Sequence, residues 1–159
     1  MHASGFFVWV NTRKSNWDQM NMQTVELKPI GILRTGLKTR KDAPFQGAEY
    51  DHEGWVELDP EYAKGLMGLE PGRDLWLLCY LNQHRTPTMT LHPRGDAARP
   101  LTGIFNTRTP NRPCPISLTL TRLLEVKQNR LLVSGVDLLD NTPVLDIKPY
   151  LKGVDSPLK

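Results

Sequence analysis

The sequence predicts a mainly β fold: a single-domain closed or nearly closed β-barrel of seven to eight short strands with one short helix. Its 159 residues suit one hydrophobic core and leave little room for a second. Twelve glycines and thirteen prolines are scattered along the chain as punctuation, which favours many short strands over long helices. The apolar stretches are brief and mostly alternate with polar residues, and strands of that kind lose their exposed edges by closing on one another.

Residues 1–22 lack periodicity and read as a mobile extension, with Met20 and Met22 as alternative starts; the barrel domain is expected over 23–152 and a tail over 153–159. Residues 24–34 (TVELKPIGILR) alternate as a strand, with Pro29 at an edge or bulge because it cannot donate to a ladder. Residues 37–47 are polar, basic and broken by Pro44, as in a loop, and a short strand follows at 54–58. Asp59-Pro60-Glu61 carries helix-start signals, and Gly68 stops a helix of about two turns. Residues 74–81 (DLWLLCYL) are almost wholly apolar, which predicts a strand buried on both faces. A long polar connection over 82–102 ends where strands resume at Gly103-Ile104-Phe105. Beyond the proline-rich stretch TRTPNRPCP, two alternating segments flank Lys127-Gln128-Asn129 as a hairpin, and a last pair is built around 140–143 and 144–147.

Several chemistries are excluded. No GxG turn occurs, so a doubly wound dinucleotide or methyltransferase fold is not indicated, and the Walker and GxSxG patterns are missing as well. No HExxH or His/Cys cluster suggests a metal site, so none is expected. Cys79 and Cys114 form no CxxC, which fits a reduced, cytoplasmic protein, and no apolar run has the length of a secretory or membrane segment. A formal net charge of +3 is compatible with a polyanionic partner without identifying one.

Two constellations remain. In residues 107–116, three prolines fix a rigid loop that presents Arg108 and Arg112, a pair suited to carboxylate or phosphate and equally to ordinary solvation. In residues 136–150, Asp137, Asp140 and Asp146 could bind, hydrogen-bond a ribose or simply organise turns.

The segments PIGILRT (29–35), APFQG (43–47), GLEPGRDLWLL (68–78), GIFNTRTPNRPCPISLT (103–119) and GVDLLDNTPVLDIKPYL (135–151) together resemble the TrmO (TsaA-like) family. That family comprises S-adenosylmethionine-dependent enzymes that N6-methylate the threonylcarbamoyl-adenosine next to the tRNA anticodon. The resemblance implies S-adenosyl-L-methionine as cofactor, tRNA as partner, and a homodimer with its cofactor pocket near the subunit interface. Carried over motif by motif, it assigns the cofactor contacts to Pro44, Phe45, Gln46, Asn82, Gln83, Arg108, Leu118, Asp137, Leu138, Leu139 and Asp140. Phe45 stands where the family has Arg, Asn82 where it has His, Asn111 where His or Phe is frequent, Cys114 where it has Asn, and Ser117 where it has Gly.

Methyl transfer is an in-line displacement, so positioning carries much of the catalysis, while a delocalised N6 nitrogen benefits from a base or a polarising hydrogen bond. Asp137, Asp140 and Tyr150 are the candidates for that role, with Asp140 equally suited to a turn. Arg108 is assigned to the cofactor carboxylate or a substrate phosphate. Lys38, Arg40, Lys41, Arg85, Arg94 and Arg112 would make a basic surface for tRNA once two copies associate. The rival readings are a methyltransferase of small molecules and an S-adenosylmethionine sensor without turnover.

Overall fold

Inward positions that are aliphatic, alternating with outward ones that meet solvent, shape the longer strands, and the described residues form eight strands in all. They are β1 (Gly31–Thr35), β2 (Glu53–Leu58), β3 (Asp74–Tyr80), β4 (Thr90–Leu91), β5 (Thr102–Gly103), β6 (Ile116–Lys127), β7 (Arg130–Ser134) and β8 (Thr142–Pro149). The computed structural model describes residues 25–43, 51–83 and 86–156. The expected N-terminal extension and the predicted contacts Pro44, Phe45 and Gln46 lie outside the described residues.

Six strands close into a barrel in the order β1-β2-β7-β6-β3-β8, with β8 returning to β1. Every neighbouring pair is antiparallel, so successive connections between barrel strands fall at alternate rims. Among the described residues one rim carries 36–43, 51–52, 81–83, 86–115 and 135–141; the other carries 59–73, 128–129 and 150–156. The interior is filled by Leu33, Val56, Leu75, Leu77, Leu123, Leu131, Val133 and Val144, each at most 1 % exposed. Burying one such side chain contributes about 1.5–3 kcal/mol, which makes this packed interior the main source of stability.

Closure depends on a close approach at Gly31. A Cβ there would stand 2.4 Å from the Glu57 carbonyl oxygen and 2.8 Å from Leu58 Cα, so only glycine lets β1 lie against β2 at this point. Pro29 precedes β1 instead of sitting within it, and the adjoining Ile30 N–H donates to the Val144 carbonyl at 2.8 Å. The barrel class agrees with the sequence reading, although only six of the eight strands belong to the barrel.

Other details differ from that reading. In β3 the inward Leu75, Leu77 and Cys79 are buried, whereas Trp76, Leu78 and Tyr80 are only partly covered, because a single-layer barrel has one outer face that meets solvent. The predicted helix is a 3₁₀ helix, Pro60–Leu66, whose Asp59 cap accepts from the Glu61 N–H at 3.1 Å as expected. The polar connection contains β4 and β5, which pair as a separate hairpin, and Ile104–Asn106 form a 3₁₀ turn after β5 instead of continuing it. The β6–β7 hairpin turns at Gln128 and Asn129, with Gln128 at φ 56°. Strand β8 pairs with β1 and β3, not with a sequence neighbour, and Lys152–Asp155 form one turn of α-helix (α1), closed by Leu151 N–H to the Asp155 carboxylate. Among the described residues no helix is long and apolar enough to cross a membrane.

We expect Gly31→Ala to force β1 away from β2 and to cost about 1–3 kcal/mol, the range for overpacking. Thermal melting should show a fall of about 2–4 °C per kcal/mol for a domain of this size; an unchanged midpoint would mean that β1 relaxes freely.

Candidate functional site

The rim that carries residues 36–43, 51–52, 81–83, 86–115 and 135–141 gathers most of the described candidate side chains. Its centre is the turn Asp140-Asn141, where Asn141 takes φ 63°. Asp140 accepts from the Thr35 N–H at 3.0 Å, from Lys38 Nζ at 2.6 Å and from Asn141 Nδ2 at 3.0 Å. Its own N–H donates to the Leu37 carbonyl at 2.8 Å, and Thr35 Oγ1 donates to the Leu138 carbonyl at 3.3 Å. Arg34 Nη1 also donates to Asn141 Oδ1. These bonds latch the end of β1 and the loop after it to the β7–β8 connection. The Lys38 ammonium, followed by the Thr35 N–H, holds the Asp140 carboxyl below its ordinary value. A carboxylate so committed anchors a loop; it is poorly suited to take a proton from a substrate.

Asp137 lies nearby on the same connection. Thr119 Oγ1 donates to Asp137 Oδ1 at 2.9 Å, which draws the start of β6 against the loop holding Asp137, Leu138 and Leu139. Leu118, beside Thr119, points outward and is half exposed. Behind them Cys79 is fully buried, and burial pushes its thiol up to about 12 against a smaller opposing effect of the Ser117 hydroxyl. That thiol is inert at neutral pH, while Cys114 is exposed on the proline loop.

The proline loop joins this rim where the Leu81 N–H donates to the Pro115 carbonyl at 2.8 Å. Asn82 and Gln83 therefore sit beside the loop's end, and both are exposed. Arg112 Nη1 donates to the Thr107 carbonyl at 2.7 Å and so braces the loop from within. Arg108 is exposed and makes no hydrogen bond or ion pair among the described residues, leaving its five donors directed to solvent. Tyr150 lies at the opposite rim, its N–H on the Asp74 carbonyl at 2.9 Å and its ring 6.0 Å from that of Trp76. Within one chain the structure brings Asp137, Asp140, Leu138, Leu139, Leu118, Asn82, Gln83 and Arg108 to one end of the barrel and leaves Tyr150 at the other. Among the described residues no group of three or more His, Cys, Asp or Glu side chains converges as metal ligands would.

A feature the sequence reading missed adjoins Asp140. On the outer wall of β1, β2 and β7 the register aligns Arg34, Trp55 and Leu132 in one row, and Ile32, Glu57 and Arg130 in the next. Arg34 and Arg130 bracket Glu57 at 3.2 and 3.3 Å, and the Arg130 guanidinium lies 4.6 Å from the centre of the Trp55 ring. Beside this row a solvent-open groove of about 470 Å³ runs to Lys38 and Asp140. The signal available in the sequence was Trp55 itself, an aromatic at an outward position between the inward Gly54 and Val56.

Residues 32–156 match the family model described as the tRNA-methyltransferase O N-terminal domain. A protein of Methanothermobacter thermautotrophicus described as a probable S-adenosyl-L-methionine-binding protein is 39 % identical over 137 residues, 86 % of this chain and 98 % of that protein. A human tRNA (adenine(37)-N6)-methyltransferase is 42 % identical over 140 residues, 82 % of this chain but 31 % of its own length. The crystal structure of TrmO from Pseudomonas aeruginosa superposes with a TM-score of 0.71 at 33 % identity, covering 85 % of this chain and 60 % of that one. The chain thus spans about three fifths of that solved structure and under a third of the human relative.

Replacing the latch carboxylate should expose its role. A depressed folded-state value means that Asp140 contributes stability above the ordinary carboxylate value of 3.8, and that this contribution is lost as pH falls through the lower folded value. Asp140→Asn should cost about 1.5–3 kcal/mol at neutral pH, the range for hydrogen bonds to a charged group. The gap in denaturation midpoint between parent and variant should narrow below about pH 4. A constant gap would remove Asp140 from the latch.

Proposed function

We propose, from the premise that this chain belongs to the tRNA-methyltransferase O N-terminal domain family, that it transfers a methyl group from S-adenosyl-L-methionine to N6 of an adenosine in the tRNA anticodon loop. The substrate we favour is the threonylcarbamoyl-adenosine beside the anticodon. The observation that carries the proposal is that the β3–β6 connection, with Asn82, Gln83 and Arg108, and the β7–β8 connection, with residues 137–140, meet at one rim of the barrel.

These residues fit the cofactor. Arg108 offers an exposed guanidinium without a hydrogen-bond or ion-pair partner among the described residues, matched in charge and shape to an amino-acid carboxylate. Asn82 and Gln83 offer exposed amides, and the 137–140 connection offers backbone groups in a loop fixed at both ends by Thr119 and Thr35. The cofactor supplies an electrophilic methyl group; the protein's task is to hold the acceptor nitrogen in line with it. Of the two rim carboxylates, Asp137, oriented by Thr119, is the one we assign to polarise an acceptor N–H, because the Lys38 ammonium already neutralises Asp140. Such an acceptor would place the protein in the cytoplasm.

We further propose that it works as a homodimer. The outer wall of β8, β3 and β6 aligns Trp76 with Leu120 and Leu78 with Leu118, and Leu118, Leu120 and Leu124 are 50 %, 36 % and 37 % exposed. An apolar strip of this kind is a usual signature of a subunit interface. Leu120→Glu should shift sedimentation from dimer to monomer with the melting midpoint of the monomer retained; a parent that sediments as a monomer at micromolar concentration would end this part of the proposal.

Transfer from labelled cofactor should appear in bulk tRNA. Label in a metabolite extract instead would point to a small-molecule acceptor, and label in neither to a sensor. Arg108→Ala should weaken cofactor binding by about 1.5–3 kcal/mol in calorimetry, as expected for a bond to a charged group; unchanged affinity in a folded variant would reassign Arg108.

A further inference from the structure

We propose that the groove on the outer wall of β1, β2 and β7 is the acceptor subsite, seating one unstacked base against Trp55 while an anionic substituent of that nucleotide meets Lys38 and Arg34. This rests on the RNA-methylation reading above.

The first argument is contiguity. Direct transfer requires donor and acceptor to touch, so the acceptor site must share a boundary with the cofactor site. Asp140 is that boundary: it ends the 137–140 connection assigned to the cofactor and also lines the groove. The second is chemistry. Trp55 and Leu132 lie side by side in register and give the groove an indole plane and an aliphatic floor, on which any base can stack. The third is charge. Lys38 and Arg34, 65 % and 46 % exposed, answer to Asp140 and Glu57, while Glu53 lines the mouth. A wall balanced in this way does not gather a run of phosphates, which needs net positive charge. It does suit a single anion carried on a flat group, held by directed donors. Gly36 completes the shape: a Cβ added there would meet no atom of the described residues within 4 Å, so they leave the groove open at that point.

Gly36→Val narrows the groove without contact to the barrel, and Trp55→Ala removes the stacking surface. Both are assayed with labelled cofactor on two stem-loop RNAs, one carrying threonylcarbamoyl-adenosine at the acceptor position and one carrying plain adenosine. KM for the carboxylate-bearing RNA should rise about tenfold or more in each variant, within the 5- to 150-fold that the loss of one base stack brings. Cofactor affinity by calorimetry should stay within about twofold, and Trp55→Phe should recover most of the loss. Lys38→Gln, read at saturating cofactor because Lys38 also holds Asp140, distinguishes the anion: a rise in KM confined to the carboxylate-bearing RNA assigns a carboxylate, and an equal rise on both RNAs assigns a phosphate. Should Trp55→Ala unfold, Gly36→Val carries the test. Methyl transfer by the parent with KM unchanged in Gly36→Val and in every folded Trp55 variant overturns the groove and leaves the RNA reading intact. A parent that binds the cofactor but methylates neither RNA overturns both.

Discussion

The structure depends on β1 being held along both edges. Five residues pair with β2 over their whole length and with β8 over three positions, and the sheet closes only because Gly31 admits the Glu57 backbone. Once closed, the barrel leaves its six strands no free edge and its interior no room, since aliphatic side chains fill it. Chemistry is thereby displaced to the rims and the outer wall. The end of this same strand carries Thr35, whose amide and hydroxyl enter the latch with Asp140 and Leu138, so closure of the sheet and construction of the site share one short segment.

Much of this was legible in the sequence wherever the cause is local. The Asp59 cap, the turn at Gln128 and Asn129, and the alternation of β6 are set by neighbouring residues, and each forms where expected. Strand β3 was misjudged because composition cannot distinguish a strand buried on both faces from one whose outer apolar residues lie on an exposed wall. The β4–β5 hairpin, at two residues per strand, falls below the length at which alternation can be read. Tyr150 follows the DIKP motif closely in sequence, yet the eight residues of β8 carry it from the rim of Asp140 to the far one. The row Arg34, Trp55, Leu132 draws on strands far apart in the chain and exists only through cross-strand register.

Several polar side chains that suggest chemistry in one dimension are absorbed by structure in three. Arg112 closes its own loop on Thr107, and Asp140 ties two connections together. Glu57 is shared between Arg34 and Arg130, so the outer wall carries its charges largely paired. Against that background, the exposed guanidinium of Arg108 on a proline-stiffened loop is conspicuous, since the backbone beneath it is held and its planar fork loses less freedom per hydrogen bond on meeting an anion than an ammonium would.

The bond from Leu81 to Pro115 has a wider consequence, because it pinches shut the neck of the connection between β3 and β6. Beyond the neck, the described residues of this connection include the β4–β5 hairpin, whose two strands pair with each other and not with the barrel. Changing the length of such a loop costs only closure entropy, about 0.6 kcal/mol for each doubling, and leaves every barrel register intact. The fold can therefore diversify at this rim by insertion and deletion while β3 and β6 stay paired. Relatives that share the barrel are free to differ most in the segment that overhangs the candidate site, and divergence there is a change of selectivity the scaffold can tolerate.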